Sequence, residues 1–109
     1  MDGESIEKET ILQNKIICAL CAAGHYAANH TVGNFWTGYG GRVKVGNPGE
    51  ADIWGHRSDG RAFYIEVKLP GFKPRQDQQQ FLEAMEKSGA LAGCAHSIEE
   101  AFEIIGTTI

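Results

Sequence analysis

The sequence predicts a mixed α/β (α+β) domain with one central mixed sheet flanked by helices. Three observations predict it: a helical apolar period over residues 5–23, an alternating hairpin over residues 50–69, and a helical pattern over residues 74–88 that precedes a short apolar strand. The order is helix, three strands, helix, strand, helix, which fits a sheet covered by helices. The 109 residues suit a single domain, 1–109.

The first helix places one acidic residue on its apolar stripe. With 100° per residue, the positions within about 60° of Glu9 are mostly apolar. They are Leu12, Gln13, Ile16, Leu20 and Ala23, and Gly24 is the expected helix end. Glu9 either faces inward and needs a partner, or lies in solvent at the helix start, where it favours the helix dipole.

Residues 25–48 are rich in glycine and aromatic residues. Residues 25–30 could form a short strand, and residues 37–41 have the composition of a flexible loop. Residues 42–45 alternate and place Arg42 and Lys44 on one face. This segment suits a path for a DNA backbone, and a plain surface connection fits it equally well.

The hairpin of residues 50–56 and 61–69 turns at Ser58-Asp59-Gly60. A three-residue loop there makes paired residue numbers add to 118, so Asp52 faces Glu66 with Cβ atoms about 5 Å apart. A shift by one residue would separate the two carboxylates across the sheet. Alternation assigns Tyr64, Glu66 and Lys68 to one face and Phe63, Ile65, Val67 and Leu69 to the core face.

The second half of the chain reads as helix, strand, helix. Pro74 is expected in the first turn of a helix that runs to about Ser88, and Gln78 shares its apolar stripe. Residues 90–96 are a short apolar strand, and Ser97 begins a capping box for the last helix.

Charge is unevenly distributed. The net charge is −4, yet residues 42–75 carry seven bases and four acids, and the flanks carry three bases and ten acids. A basic segment is a footprint of phosphate binding, although a mixed surface is an equal alternative. No membrane span or signal peptide is recognisable, and three cysteines give no disulfide framework. We therefore expect a cytoplasmic protein.

Asp52, Glu66 and Lys68 form the strongest chemical pattern. Carboxylates suit Mg²⁺ and Mn²⁺, and a lysine two residues beyond the second carboxylate points to the same side of the strand. There it could orient a water and stabilise charge on a phosphate. The competing interpretation is a salt bridge on a solvated sheet.

Cys18, Cys21 and His25 suggest a rival zinc or redox site. No fourth ligand is evident, so we interpret both cysteines as small buried hydrophobes, and Cys94 as a core residue. His56 falls on the Asp52 face of its strand.

These motifs together resemble a known nuclease family. Glu9…Gln13, Gly49-Glu-Ala-Asp52, Phe63-Tyr-Ile-Glu66-Val-Lys68 and Gly71-Phe-Lys73-Pro74…Gln78 resemble the PD-(D/E)XK nuclease core, and within it the VRR-Nuc (virus-type replication-repair nuclease) domain. The likeness covers residues 9 to about 105. The run that begins at Asn34 has no match in the family's pattern.

The resemblance implies the roles of the site residues. Metal binding falls to Glu9, Asp52, Glu66 and the main-chain carbonyl of Val67, and catalysis also involves Lys68 and Gln78. The surrounding bases Arg42, Lys44, Lys73 and Arg75 are the expected DNA contacts.

The function expected from this resemblance is a Mg²⁺- or Mn²⁺-dependent DNA endonuclease. Stand-alone members of this size resemble phage or bacterial homodimers that act on four-way DNA junctions. Two alternatives stay open: a nuclease for flaps, nicks or single strands with the same site, and a DNA-binding module without catalysis.

Overall fold

The computed structural model describes residues 2–30, 33–36 and 38–108, with the backbone alone for residues 33–36 and 42–45. The helices are α1 (Gly3–Ala22), α2 (Gln76–Lys87) and α3 (Ile98–Ile105). The strands are β1 (Tyr26–Asn29), β2 (Gly33–Trp36), β3 (Arg42–Val45), β4 (Ile53–His56), β5 (Ala62–Val67) and β6 (Leu91–Ala95). None of the helices in the described ranges is long and apolar enough to cross a membrane.

The central sheet has the strand order β1-β4-β5-β6. β4 pairs antiparallel with β1 and β5, whereas β5 and β6 run parallel. The predicted mixed sheet is therefore confirmed, and its elements follow the predicted order α-β-β-β-α-β-α. β2 and β3 add a separate antiparallel pair between β1 and β4. That pair was not predicted because its glycine-rich connection dominates the local composition; Thr37, part of the predicted loop, lies outside the described residues.

The register of the β4–β5 hairpin is the predicted one. Ile53 pairs with Ile65 and His56 with Ala62, so the paired numbers add to 118. The turn closes with the Gly60 N–H donating to the carbonyl of Arg57 at 2.8 Å. Gly60 has φ +90°, a left-handed conformation that glycine adopts without strain.

One face of the sheet packs against α1 and α3. Phe63, Ile65 and Val67 are fully buried there, as predicted. Their main neighbours in the core are Ile16 and Leu20 of α1, Ala27, Ile53, Ala95, and Ala101, Phe102 and Ile105 of α3.

The backbones of β1 and β4 approach each other closely where Gly55 lies. A Cβ atom at Gly55 would lie 2.0 Å from the carbonyl oxygen of Tyr26 and 2.8 Å from the ring of Phe63. Only glycine fits at this position.

Helix α2 covers the other face of the sheet over β5 and β6. Trp54, Tyr64 and Phe81 pack ring against ring, with centroids 5.2–6.2 Å apart. This face also holds Glu66 and, from α2, Gln78, the two buried polar residues of the described chain. Around Glu66 this face is interior and not the solvated one that a surface salt bridge would require.

Three local expectations were wrong. Ala23 is exposed because it is the C-cap of α1. Cys18 and Cys21 are exposed because they lie off the buried stripe of Ile16 and Leu20. Pro74 lies before α2 and not within its first turn, since Arg75 is the N-cap.

Candidate active site

Asp52 and Glu66 lie at the same end of the sheet, because Asp52 precedes β4 and Glu66 lies near the end of its antiparallel partner β5. Continuing the register by one step places them opposite each other, and the Val67 N–H donates to Oδ2 of Asp52 at 2.9 Å. The sequence-predicted pair is thus brought together.

Glu66 is a buried carboxylate held on one side only. It is 1% exposed, and its Oε1 accepts a hydrogen bond from Nε2 of Gln78 at 3.0 Å. Nζ of Lys68 lies 4.0 Å from the same oxygen. Its Oε2 is buried without a hydrogen-bond partner.

The pKa of Glu66 is raised to about 9, first by burial and then by the adjacent carboxyl group of Asp52, against the opposing effect of Lys68. Two carboxylates this close cannot both carry a full charge cheaply without a cation between them. Without a cation, Glu66 therefore keeps its proton up to about pH 9, and a divalent cation would favour the charged form instead.

Glu9 belongs to the same charge cluster. Its pKa is raised, first by burial and then by Asp52, against the opposing effect of Lys68. It is half-buried, and its Oε2 is a second buried oxygen without a partner. One turn further along α1, Nε2 of Gln13 donates to Oδ1 of Asn29 at 2.6 Å and reaches the Asp52 carbonyl at 3.5 Å. Of the two interpretations of Glu9, the inward-facing one is the one observed.

Gln78 connects α2 to the site through both ends of its amide. Its Oε1 accepts from the Arg75 N–H at 2.8 Å, which satisfies a free backbone donor at the helix start, and its Nε2 holds Glu66. The same residue therefore caps the helix and orients a carboxylate.

A cleft of about 310 Å³ opens beside Asp52, and Glu9 and Glu66 are not among its lining residues. Its lining comes from residues 48–50, from His30, Asp52, Arg75 and Gln78. Among the predicted DNA contacts, Arg75 lines this cleft and its Nε lies 3.2 Å from Asp77. Lys73 is exposed outside the lining, and the side chains of Arg42 and Lys44 lie outside the described part of the structure.

The donor set fits a hard divalent cation in type. Mg²⁺ and Mn²⁺ prefer carboxylate oxygens, and two buried oxygens of Glu9 and Glu66 lack partners beside Asp52. However, no three His, Cys, Asp or Glu side chains of the described residues stand as a group that could hold a metal ion. Hydrogen bonds hold Asp52 to the Val67 N–H and Glu66 to Gln78 instead.

Sequence reasoning missed His30 as a part of the cleft. Its backbone N–H donates to the Asp52 carbonyl at 2.8 Å, and its ring stacks on Trp54 and meets Glu50 at 3.3 Å. The spacing of histidines carried no signal for this position. The signal that existed was alternation, since Tyr26, Ala28 and His30 fall on one side of the predicted strand.

Comparison with solved structures shows the fold. A structure titled "VRR_NUC domain" superposes with a TM-score of 0.66 at 20% sequence identity, over 94% of this chain and 98% of that one. The fold implied by the sequence resemblance is therefore confirmed. No protein-family model and no curated protein matches the sequence.

Proposed function

We propose that residues 1–109 form one nuclease domain that hydrolyses phosphodiester bonds of DNA with the help of Mg²⁺ or Mn²⁺. The observation that carries the proposal is the pair of buried, unpartnered oxygens on Glu9 and Glu66, placed beside Asp52 and Lys68. A salt bridge alone does not explain them, because Lys68 lies 4.0 Å from Glu66 Oε1 and leaves Oε2 unpaired. The VRR-Nuc fold supports the same conclusion.

The residues that would hold the cation are Glu9, Asp52, Glu66 and the main-chain carbonyl of Val67. When bound, such a cation lowers the pKa of a water and neutralises charge on the phosphate. Gln78 keeps Glu66 aimed at this position by holding its Oε1. Because the Lys68 side chain is largely buried beside Glu66, its ammonium can orient the attacking water and stabilise the transition-state charge.

DNA would approach through the cleft that Arg75 lines, with Lys73, Arg42 and Lys44 contacting the backbone. We propose a homodimer that acts on four-way junctions. A two-fold axis would place two sites on two strands of a symmetric junction, and a domain this small gains stability from a partner. The compartment would be the cytoplasm of a bacterium or of a phage-infected host cell.

A substrate panel tests the proposed specificity. Labelled four-way junctions, flaps, nicked duplexes and single strands are incubated with the protein and Mg²⁺ or Mn²⁺, and the mass is measured by sedimentation. We expect preferential cleavage of the junction by a dimer. Equal cleavage of all substrates would end the junction assignment, and no cleavage with either metal would favour a binding module.

Two substitutions test the site itself. Asp52→Asn and Lys68→Ala should each lower cleavage with Mn²⁺ by roughly 100-fold or more, since each removes a group that acts on the transition state. Lys87→Ala, at the exposed end of α2, is the matched control and should cut as the wild type does. Wild-type rates in both site variants would show that the site is assigned wrongly.

A further inference from the structure

A second cleft, of about 380 Å³, lies next to the candidate active site on the same face of the sheet. Its walls are two stacked pairs of rings. Tyr26 stacks on His56 with centroids 5.4 Å apart, and His30 stacks on Trp54 at 3.8 Å.

The small side chain of Ala28 keeps the space between these pairs open. Tyr26, Ala28 and His30 alternate along the edge strand, so the two rings of this strand are four residues, or about 13 Å, apart. Ala28 pairs with Trp54, and Tyr26 with His56, so the gap lies across β1 and β4. A planar ring fits between two such walls, because aromatic rings favour stacked and edge-on neighbours.

The cleft adjoins the site that would cut the phosphodiester bond. His30 lines both cavities. Asp52, Trp54 and His56 alternate on one face of the β4 segment, so each step between them is roughly 7 Å, about the length of one nucleotide in an extended strand. A base attached to a nucleotide bound at Asp52 can therefore reach the first pair of rings.

We propose that this aromatic cleft binds one unpaired nucleobase of the DNA strand that is cut, beside the scissile phosphate. The proposal rests on the proposed function, because phosphodiester hydrolysis at the adjoining carboxylates would make the ligand nucleic acid. It narrows the substrate to DNA in which a nucleotide near the cut is unstacked, as at a branch point or flap. Stacking on aromatic side chains is tolerant of sequence, so the cleft gives structure selectivity without base selectivity.

Binding without metal tests the proposal separately from cleavage. The probe is a 12-nucleotide single strand in EDTA, with the fluorescent base 2-aminopurine at one position in each oligonucleotide. We expect quenching of the 2-aminopurine fluorescence on binding to the wild type. Tyr26 is 56% exposed, so Tyr26→Ala should fold, and it should raise the dissociation constant roughly tenfold and abolish the quenching.

Two further variants act as controls. Tyr26→Phe keeps the ring and should keep both affinity and quenching. Ile11→Ala removes an exposed apolar side chain on α1, outside the cleft, and should bind as the wild type does. Equal binding by the wild type and Tyr26→Ala, or no binding of the probe by the wild type, would overturn the proposal. A third outcome would also overturn it: Tyr26→Ala changes the oligomer mass measured by sedimentation but leaves DNA binding unchanged. The cleft would then be a contact with a second copy of the chain.

Cleavage gives the second readout. An abasic nucleotide next to the cut should slow the wild type roughly tenfold and leave the rate of Tyr26→Ala unchanged, because that variant has already lost the stack. A wild type that cuts DNA but tolerates abasic nucleotides at every position refutes the cleft and leaves the nuclease intact. A wild type that cuts nothing refutes the nuclease, and the EDTA experiment still decides the cleft.

Discussion

The two faces of β5 are built from alternate residues of one strand and have opposite character. The side chains of Phe63, Ile65 and Val67 lie in the apolar core formed with α1 and α3. Tyr64 and Glu66 face α2, where rings and hydrogen-bonded polar groups replace aliphatic contacts.

Within the six residues of β5, one face therefore contributes to folding stability and the other carries the chemistry. Burying apolar side chains is favourable, whereas burying a carboxylate with one unpaired oxygen is costly. The strand can carry Glu66 on the face towards α2 because its other face, the core face, is buried in the apolar core. Substitutions on the core face should therefore lower the free energy of unfolding, and substitutions on the face towards α2 should lower activity.

The largest effect is expected from Phe63→Ala on the core face. Deleting a fully buried ring removes its transfer free energy and leaves a cavity, so the free energy of unfolding should fall by about 3–5 kcal/mol. Tyr64→Ala, one residue along and only partly buried, should cost less. Urea denaturation of both variants measures the difference, and equal losses would contradict the division between the faces.

Glu66→Gln should stabilise the folded chain in metal-free buffer at pH 8. The pKa of Glu66 is about 9 when folded, above its ordinary 4.5, so its contribution to stability is complete below pH 4.5 and is lost as the pH rises towards 9. A neutral amide avoids this loss, which at about 1.4 kcal/mol per pH unit above pH 4.5 is on the order of several kcal/mol at pH 8.

The melting temperature, measured with and without Mn²⁺, checks this prediction. Mn²⁺ should raise the melting temperature of the wild type and have little effect on Glu66→Gln. Glu86→Gln, an exposed change of the same kind on α2, serves as the control and should behave as the wild type. Destabilisation by Glu66→Gln in metal-free buffer at pH 8 would show that its charge is compensated in another way.

Gln78→Ala should slow cleavage about 10-fold to 100-fold, as loss of a residue that orients a ligand typically does. The cause would be the lost hydrogen bond to Glu66, so Mn²⁺ affinity should fall with the rate. Gln79→Ala removes an exposed neighbouring glutamine and should leave both unchanged. If the two variants behave alike, Gln78 acts only as a helix cap.

The smallest effect on stability is expected from a pair of residues that lies on neither face of β5. His96 and Glu100 form an ion pair at 2.9 Å, and the pKa of His96 is raised, mainly by its hydrogen bond to the Phe72 carbonyl, whereas the backbone N–H of His96 lowers the pKa of Glu100. The stabilisation by His96 is lost as the pH rises through its folded pKa, above the ordinary 6.5, and that by Glu100 as the pH falls through its folded pKa, below 4.5.

The pair should therefore contribute most between about pH 4.5 and 6.5. The contribution of an exposed pair is at most about 1 kcal/mol. Unfolding of the wild type and His96→Gln across pH 4 to 8 measures it, and parallel curves would remove the pair as a contributor.

The sequence predicted much of this fold because its signals are local. Asp59-Gly60 defined the hairpin register, and alternation along residues 61–69 identified the core face. The features that could not be predicted depend on tertiary packing. Alternation shows that Glu66 lies opposite the core, but it does not show that α2 covers that face, nor that Gln78 reaches Glu66 from it.

For the candidate site too, local signals were sufficient for some residues and tertiary packing decided the others. Asp52, Glu66 and Lys68 were predictable because they lie on neighbouring strands of one hairpin. Glu9 required the path of a helix more than forty residues away, and the sequence alone left two orientations open. His30 was missed because its place depends on how β1 pairs with β4, a contact between segments that the β2–β3 pair separates.

Gly55 contacts both the hydrophobic core and the edge strand that carries Tyr26. Its missing side chain lets the Phe63 ring lie over β4 on the core side, and it lets the Tyr26 carbonyl approach on the edge side. Tyr26 is also a wall of the aromatic cleft. A bulkier residue at this position would push the edge strand outward and widen the cleft, while the Asp52–Glu66 pair, on the other side of β4, would keep its register. The position of the outermost wall of a surface cleft is thus determined from inside the hydrophobic core.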